Sequence, residues 1–597
     1  TNFRFRAING DDTDGGGGIA FVLQDSPDGS DALGIGGDDG LGAAGIINSV
    51  IVEFDTYDGP FDVNDNHISV SINGDLDNPI RTSLFSIDFN GDDDVYVWIE
   101  YNGVTEELAV YADTTNERPT TAALLTQVQL NDIVGDGMYA GFSASTGATE
   151  TNSHRIRSWS MTADPPAADP PTNPIGNVSA ETVVSGLTFP TSLEFSADGT
   201  RMYIAQQDGV VHVAENGEIL QDAFIDISDQ VNGVRDRGLL GLALHPDFEN
   251  NPYVYLLFTY DPPEVFQNQS DALARPDGKG NRAGRLIRVT ADVNDGYRTA
   301  VAGSEVVLLG SNSTWENFNA FANSTDDFDE PAAGINPDGT NIRDFIASDS
   351  ESHTVGDLAF GPDGALYVSI GDGTSYNRVD PRTVRVQDID NLSGKILRID
   401  PLTGVGLSDN PFFNGDADAN RSKVYQLGLR NPFRISIDQV TGQLYIGDVG
   451  WTRWEEVNAA GPGANFGWPY YEGGSGQSLR TGGYENLPEA QAFYASGQVA
   501  TPALFALSHG STGINAIIVG DVYRGSLYDP SYVGDVFFND LGQSIVRNAN
   551  LDEDGEFIDY DTFQNGGPVI VNLTQGPDGA MYYVDIGGGT VGRWLFT

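Results

Sequence analysis

Cysteine is absent from this chain of 597 residues, which excludes disulfide bonds and thiolate metal sites. Basic residues are scarce, because 30 Lys and Arg stand against 86 Asp and Glu and leave a formal net charge of −56. A surface this acidic repels nucleic acid and anionic lipid, so neither is expected as a partner. No run of 18 apolar residues occurs, and no segment is therefore expected to span a membrane.

Helical periodicity is nearly absent, whereas turn residues are abundant. The chain holds 73 glycines, and short apolar runs are separated by Asp-Gly, Asn-Gly and Pro-Asp-Gly turns. Such turns connect short antiparallel strands, so the chain is predicted to be all-β. Its length predicts two or more domains. The acidic residues are dispersed along the chain, which indicates a solvated, salt-adapted surface rather than a disordered tail.

A proline-rich segment, residues 163–174, divides the chain and is typical of a semi-rigid spacer. We therefore predict a first domain at residues 1–162, a linker at 163–178 and a second domain at 179–597. Residues 261–352 are expected to form long loops over one face of the second domain. Elsewhere in that domain a strand, a tight turn and a second strand recur, which is the signature of a propeller. The copies are residues 193–204, 358–368 and 573–583, with a variant at 435–446.

Four motifs in the second domain lie in the order of one known enzyme fold. They are residues 237–248 (RGLLGLALHPDF), 353–367 (HTVGDLAFGPDGALY), 427–433 (LGLRNPF) and 465–469 (NFGWP). Together they resemble the soluble glucose/sorbosone dehydrogenase family. The resemblance implies a six-bladed β-propeller that oxidises sugars with pyrroloquinoline quinone (PQQ).

The first domain carries a second resemblance. Residues 18–24 (GIAFVLQ), 41–57 (LGAAGIINSVIVEFDTY), 62–67 (DVNDNH) and a closing strand at 154–161 are similar to L-type, legume-like lectins. That resemblance implies a β-sandwich of two packed sheets. The predicted fold class is therefore all-β, with a lectin-like β-sandwich followed by a six-bladed β-propeller.

Residue spacing in the first domain predicts a metal site. Glu53 and Asp55 alternate on a strand, so both carboxylates face one side. Asp62 and His67 follow a turn, and Asp58 lies between. Carboxylates suit Ca²⁺, and an imidazole added to them also suits Mn²⁺. The alternative interpretation is that these acids are solvated turn residues.

The lectin resemblance assigns two ions to these positions and leaves sugar binding open. Gly17 stands where the family has an Asp that accepts hydrogen bonds from sugar hydroxyls, so the domain either binds glycan or acts as a spacer. Family lectins have strands before the segment that opens this chain, so either the chain is trimmed or a second copy of it pairs with an open sheet edge. The resemblance assigns a transition metal to Glu53, Asp55, Asp62 and His67, and calcium to Asp55, Asp58, Asp62 and the carbonyl of Tyr57.

Sugar oxidation through a quinone requires a base, a cation beside the quinone and basic groups for the carboxylates of the cofactor. The dehydrogenase resemblance assigns the base to His353 and the quinone contacts to Arg430 and Asn431. The alternative is a structural histidine and an arginine that stabilises a blade turn. His245 is expected to be structural, and His509 to line the channel.

The same resemblance implies calcium ions and further cofactor contacts. The carbonyls of Gly450 and Trp451 match ligands of a catalytic Ca²⁺, and Glu456 and the Phe466 carbonyl match a second, structural Ca²⁺ site. The remaining candidate contacts to PQQ are the basic side chains of Arg237, Arg524 and Arg547.

Two functions fit these observations. The first is an exported, calcium-dependent PQQ sugar (aldose) dehydrogenase that is tethered to glycan by its lectin-like domain. The second is a non-catalytic extracellular adhesion or filament subunit that reuses both folds and joins copies by strand donation. Either protein would lie outside the cell, at the cell surface or in the periplasm.

Overall fold

A computed structural model of the chain divides into two compact units, Thr1–Thr172 and Asn173–Thr597. The predicted linker lies mostly outside the described residues, so its bounds and those of the two domains stay a prediction. No helix among the described residues is long and apolar enough to cross a membrane. The structure describes residues 2–9, 17–27, 29, 32–35, 40–56, 64, 66–76, 78–84, 87, 89, 94–102, 107–115, 118–119, 121–134, 138–145, 152–161, 178–318, 332–473, 480–552 and 555–596.

The first unit consists of two five-stranded antiparallel sheets. One sheet has the strand order β10-β1-β6-β7-β8 and the other β5-β4-β3-β2-β9. The elements are β1 (Asn2–Asn9), β2 (Gly18–Gln24), β3 (Ser49–Asp55), β4 (His67–Ile72), β5 (Arg81–Leu84), β6 (Val95–Asn102), β7 (Glu107–Asp113), β8 (Leu124–Gln127), α1 (Leu130–Val134), β9 (Tyr139–Ser145) and β10 (Asn152–Ser160).

The two sheets pack face to face around an aromatic core. Phe3 of one sheet meets Phe54 of the other with ring centroids 5.7 Å apart. Val50, Val52 and Phe54 alternate along β3 and all enter this core. Each fully buried aliphatic or aromatic side chain contributes about 1.5–3 kcal/mol to folding. The predicted β-sandwich is confirmed.

The second unit opens with β11 (Val178–Ser185) and continues as six sheets, the blades of a propeller. Blade 1 is β12 (Pro190–Phe195), β13 (Arg201–Gln206), β14 (Val210–Glu215), β15 (Glu218–Ile219) and β16 (Ile225–Asp226). Blade 2 is β17 (Leu239–Leu244), β18 (Tyr253–Tyr260), β19 (Arg282–Thr290), β20 (Val306–Leu309) and β21 (Ile346–Ser348). Blade 3 is β22 (Val355–Phe360), β23 (Leu366–Ile370), β24 (Lys395–Ile399) and β25 (Val424–Leu427).

The remaining blades complete the ring. Blade 4 is β26 (Pro432–Ile437), β27 (Leu444–Asp448), β28 (Trp454–Asn458) and β29 (Phe505–Ser508). Blade 5 is β30 (Ile517–Val522), β31 (Val536–Asp540), β32 (Ile545–Leu551) and β33 (Phe557–Asn565). Blade 6 is β34 (Ile570–Gln575), β35 (Met581–Asp585), β36 (Thr590–Phe596) and β11. The short helices of this unit are α2 (Asn420–Lys423), α3 (Pro488–Ser496) and α4 (His509–Thr512).

The ring closes because the first strand of the unit pairs with the last. β11 is antiparallel to β36, and the six inner strands (β12, β17, β22, β26, β30 and β34) contact one another in a closed circle. Apolar clusters fill the space between neighbouring blades, as where Tyr367 of blade 3 packs with Ile435 and Ile446 of blade 4. The six-bladed propeller is confirmed.

The predicted repeats form the hairpins between the first and second strands of blades 1, 3, 4 and 6. In blade 3, Gly364 has φ +77° and closes the turn by donating its N–H to the carbonyl of Gly361. Residues 261–352, which were expected to form only loops, also contain β19, β20 and β21. The pattern was missed because long connections separate these strands.

Candidate active site

The candidate site lies where the inner strands begin. His353 precedes β22, Arg430 and Asn431 precede β26, and Gly450 and Trp451 follow β27. Because second strands run antiparallel to inner strands, the end of β27 and the start of β26 lie at the same edge of the propeller. Three separate segments of the chain therefore meet at one end of the ring.

A histidine–aspartate pair forms the centre of the site. His353 Nδ1 lies 3.1 Å from Asp372 Oδ1, and both side chains are buried. Burial alone would raise the pKa of Asp372, but His353 and Arg430 outweigh that effect and lower it. An ionised Asp372 can only accept a hydrogen bond, so Nδ1 carries the proton and the lone pair of the neutral imidazole lies on Nε2.

The backbone holds His353 in an uncommon conformation. Its φ is +55°, in the left-handed region that side chains other than Gly rarely adopt. The N–H of Gly373 donates to the His353 carbonyl at 2.9 Å. A Cβ at Gly371 would lie 2.1 Å from that carbonyl oxygen, so only glycine fits there. The loop after β23 thus fixes the position of His353.

Trp468 and Arg430 connect the pair to the rest of the site. Trp468 Nε1 donates to Asp372 Oδ2 at 3.0 Å, and the Arg430 guanidinium lies 5.6 Å from the centre of the Trp468 ring. Arg430 also donates to the carbonyls of Val449 and Gly450, at 2.9 and 2.7 Å. These contacts place a buried positive charge beside the His353–Asp372 pair.

An acidic cavity lies next to Arg430. Its volume of about 10 Å³ is room for one water molecule or one ion. Burial and the nearby Glu456 raise the pKa of Asp448 well above its usual range. Desolvation raises the pKa of Glu456 itself to about 7. The residues that line the cavity are Gly428, Arg430, Asp448, Gly450, Glu456, Phe466, Trp468, Tyr471 and Glu472.

The cavity brings together Arg430, Gly450, Glu456 and Phe466, whereas the family resemblance assigned Gly450 to one calcium site and Glu456 and Phe466 to another. Trp451 stays at its edge, where its N–H donates to Glu472 Oε1 at 2.9 Å. The described residues contain no group of three or more acidic or histidine side chains that could hold a metal ion. The ligand roles of these positions therefore stay predictions.

Asn431 and His509 occupy supporting positions. The Asn431 N–H donates to Asp448 Oδ1 at 2.7 Å. His509 Nε2 lies 2.7 Å from Glu455 Oε1, and Glu455 raises the pKa of His509 through this contact. Glu455 also accepts the N–H of Gly450, which places His509 behind the wall of the acidic cavity.

Arg237 is fully buried and acts on the backbone. Its guanidinium donates to the carbonyls of Gly278, Gly280, Ser348 and Ser350 at 2.7–3.3 Å. The last two carbonyls belong to the segment that leads into His353. The structure thus gives Arg237 a positioning contact with this segment, and contact with a cofactor stays a prediction.

The two other predicted cofactor arginines lie apart from each other. Arg547 is buried on β32, where it donates to Gln543 Oε1 at 2.9 Å. Arg524 follows β30, so it lies at the opposite end of the inner strands from His353. It forms an ion pair with Asp438 at 2.6 Å. The structure does not bring Arg524 together with His353 and Arg430.

Sequence reasoning missed basic residues at the rim. Arg235 and Lys279 pair with Glu351 at 3.2 and 3.4 Å, and Glu351 lies two residues before His353. The side chains of Arg235 and Lys279 are 43% and 50% exposed, so both can reach a ligand from solvent. Arg235 also lies over the ring of Tyr376, at 4.9 Å.

Sequence reasoning also missed Asp372 and Asp448, although a signal was present. Ile-Gly-Asp occurs at the end of the second strand in both blades 3 and 4, at residues 370–372 and 446–448. In blade 3 Asp372 accepts the backbone N–H of Thr374. In blade 4 Asp448 accepts the backbone N–H of Arg430, just before β26. The repeated Ile-Gly-Asp sequence thus marks two carboxylates, Asp372 and Asp448, that hold the backbone in place and lie at the candidate active site.

The predicted metal site of the first unit is described in part. Asp55 and His67 are direct partners in the register of β3 and β4, and both are buried, as is Glu53. His67 Nδ1 lies 2.9 Å from the carbonyl of Asn64. Glu53 and Asp55 face away from the core, on one side of the sheet, as predicted. Tyr57, Asp58 and Asp62 lie outside the described residues.

The fold and this site define a six-bladed propeller with a buried His–Asp pair and an acidic cavity at one end. The chain belongs to the glucose/sorbosone dehydrogenase family, whose model matches residues 187–313 and 340–591. A legume lectin domain matches residues 1–175. Both predicted resemblances are therefore confirmed.

Individual relatives match more weakly. The HIPL1 protein of Arabidopsis thaliana is 26% identical over 377 residues, 58% of this chain and 50% of that protein. Quinoprotein glucose dehydrogenase B of Acinetobacter calcoaceticus is 25% identical over 313 residues, 50% of this chain and 53% of that protein. A solved glucose dehydrogenase structure, 20% identical with a TM-score of 0.50, covers 70% of this chain and 98% of that chain and shows the fold alone. This chain spans about half the length of the curated relatives it matches.

Proposed function

We propose that the second unit is a calcium-dependent PQQ dehydrogenase that oxidises aldose sugars, and that the first unit binds glycan outside the cell. The observation that carries the proposal is the meeting of Arg430, Gly450 and Phe466 around one acidic cavity, with Trp468 linking it to the His353–Asp372 pair. Membership of the glucose/sorbosone dehydrogenase family supports the same activity.

His353 is the proton acceptor in this proposal. Its Nε2 lone pair takes the proton of the sugar hydroxyl, because Nδ1–H is committed to Asp372. Asp372 stabilises the imidazolium that results, and Trp468 and Thr374 keep Asp372 in place. Without these donors the carboxylate could rotate away and release the imidazole.

Arg430 supplies positive charge where the reaction needs it. Its guanidinium is held by two carbonyls and the Trp468 ring, so it is preorganised rather than recruited during the reaction. A fixed cation in a buried site stabilises developing negative charge far more than a solvated one does. PQQ, when bound, supplies the two-electron oxidant.

The residues present fit a quinone that carries carboxylates. Arg430 and Asn431 would hold the quinone side, and the exposed rim cations Arg235 and Lys279 would hold carboxylates. The raised pKa values of Asp448 and Glu456 fit a nearby divalent cation, because such an ion would replace the proton that the two acids retain. Ca²⁺ suits this set of oxygen donors.

The test uses the purified full chain with PQQ and Ca²⁺. Aldoses should reduce an artificial electron acceptor, and PQQ should remain with the protein after gel filtration, as measured by absorbance. Retained PQQ without turnover across a broad aldose panel would overturn the catalytic proposal and favour the non-catalytic adhesion subunit. Glycan binding is tested separately on a glycan array, with and without EDTA. Absence of any chelator-sensitive signal would overturn the lectin role.

A further inference from the structure

A second cavity lies on the axis of the propeller, at the C-terminal ends of the six inner strands. Its volume is about 600 Å³, and residues of all six blades line it. Arg434 separates it from the candidate active site. This buried side chain donates to the carbonyls of Thr191, Leu240 and Val571, which belong to blades 1, 2 and 6, and so crosses the axis from blade 4.

Two of the four carboxylates at this cavity have cationic partners. Asp438 pairs with Arg524 through two contacts of 2.6 and 3.0 Å. Asp357 lies 3.5 Å from the Arg434 guanidinium. These pairs neutralise both arginines, so neither cation is available for the other acids.

Glu194 and Asp521 remain without a cation among the described residues. Asp521 accepts hydrogen bonds from the hydroxyls of Ser436 and Thr574, at 3.1 and 2.8 Å, and from the N–H of Gln575 at 2.8 Å, but forms no ion pair. The side chain of Glu194 forms neither a hydrogen bond nor an ion pair with any described residue, although it lines the cavity. Without a cation, neighbouring carboxylates at such a cavity favour their protonated forms, and an added positive charge would stabilise the ionised forms.

A buried amide at the same cavity is also unsatisfied. Asn572 lines the cavity and is only 8% exposed, yet its Oδ1 has no hydrogen-bond partner. An unpaired buried acceptor costs about 1–3 kcal/mol, so it is expected to meet a donor. Glu194, Asp521 and Asn572 all offer hydrogen-bond acceptors and no positive charge, so a cationic ligand that carries N–H donors would complement them.

We propose that this axial cavity binds a small aliphatic diamine, with its ammonium groups at Glu194 and Asp521. The volume falls within the range of small-molecule sites, roughly 300–1,000 Å³, and exceeds that of a bare ion. Leu193, Leu358 and Leu573 supply apolar wall for the methylene chain. An ammonium group also supplies an N–H donor for the unpaired Oδ1 of Asn572.

The charges around the cavity give the proposal a pH dependence. Burial and the negative charges of Asp521 and Asp357 raise the pKa of Glu194 well above its ordinary value. Burial likewise raises the pKa of Asp521. The empty site therefore retains protons that a diamine must displace, so binding tightens as pH rises.

Isothermal titration with 1,4-diaminobutane, in the absence of PQQ and sugar, tests the proposal independently of the dehydrogenase activity. The control is butane-1,4-diol, which has the same length and no charge. Glu194→Gln and Asp521→Asn keep shape and remove charge, and each should weaken binding by about tenfold or more. The matched control Glu249→Gln, at an exposed position outside the cavity, should bind as the parent does.

Thermal unfolding shows that each variant is folded, and the titration is repeated from about pH 5 to about pH 8. Affinity should rise with pH in the parent and less in Glu194→Gln. Absence of diamine binding, equal binding of the diol, or unchanged affinity in both charge variants would each overturn the proposal.

Discussion

The two units each place a histidine beside an aspartate, but by different means. In the sandwich, Asp55 and His67 are partners in the regular register of β3 and β4. In the propeller, His353 lies before β22 in a left-handed conformation and meets Asp372 beyond the end of β23. The first pair needs only sheet geometry. The second depends on Gly371, whose hydrogen side chain permits the close approach.

The two pairs also differ in what holds Nδ1. Nδ1–H of His67 faces a neutral backbone carbonyl, that of Asn64, whereas Nδ1–H of His353 faces an ionised carboxylate. In both cases the lone pair lies on Nε2. Either partner can orient a histidine that binds a metal, whereas only the carboxylate also stabilises the imidazolium of a histidine that accepts a proton.

The largest effect is expected for His353→Gln. Loss of the proton acceptor should lower kcat for aldose oxidation by about 10²–10⁴-fold, while PQQ absorbance stays with the protein. His245→Gln, at the opposite end of the inner strands, is the matched control and should retain full activity. Unchanged turnover in His353→Gln would remove this histidine from the mechanism.

A smaller loss is expected for Asp372→Asn. The amide keeps the shape of the carboxylate but cannot stabilise an imidazolium, so kcat should fall by about 10–100-fold with KM nearly unchanged. Steady-state kinetics separates the two constants. A rise in KM alone would mean that Asp372 shapes the sugar site rather than supporting His353.

Metal removal should affect the sandwich. An ion that binds only the folded state at a hundredfold excess over its dissociation constant adds about 2.7 kcal/mol. EDTA should therefore lower the melting temperature of the sandwich transition of the full chain, measured by calorimetry. Asp55→Ala should remove that sensitivity, whereas Asp75→Asn, at an exposed turn of the same unit, should keep it. If EDTA leaves the melting temperature of this transition unchanged in the parent, the lectin-type metal site is ruled out.

The smallest effect concerns Glu456. Its folded pKa of about 7 exceeds the ordinary value of 4.5, so the folded state keeps a proton that the unfolded state releases. Without Ca²⁺ the free energy of unfolding should fall by about 1–3 kcal/mol as pH rises from about 4.5 to about 7. Glu456→Gln should reduce this slope in urea titrations, and Ca²⁺ should reverse it in the parent. An equal slope in the variant would contradict the assignment.

Much of the fold could be predicted from local sequence. Asp-Gly turns such as Pro362-Asp363-Gly364 predict a tight hairpin from a few residues. Alternation along β3 predicts that Val52 and Phe54 face the core and that Glu53 and Asp55 face the other side of the sheet. Blade 2 was harder, because long connections separate β18, β19 and β20. A hairpin pattern can be recognised in the sequence only when the two paired strands are close together along the chain.

The site could be predicted only in part. His353 and Arg430 lie in recognisable motifs, but Asp372 lies outside them, in the turn after β23. Arg524 and Arg547 are equally basic in the sequence, yet one lies at the far end of the ring and the other on a third strand. The position of each arginine in its blade, rather than its residue type, decides which end of the ring it reaches.

By itself, the sequence determined that this protein is all-β, divided in two by a proline-rich segment, and related to lectins and sugar dehydrogenases. These properties follow from turn chemistry, strand alternation and motif order, which act over a few residues. Only the tertiary structure decided which charges meet. Closing six blades into a ring sets Trp468 against Asp372 and leaves Glu194 beside Asp521 on the axis. Such contacts join residues that are far apart in the sequence, because all six blades surround one axis.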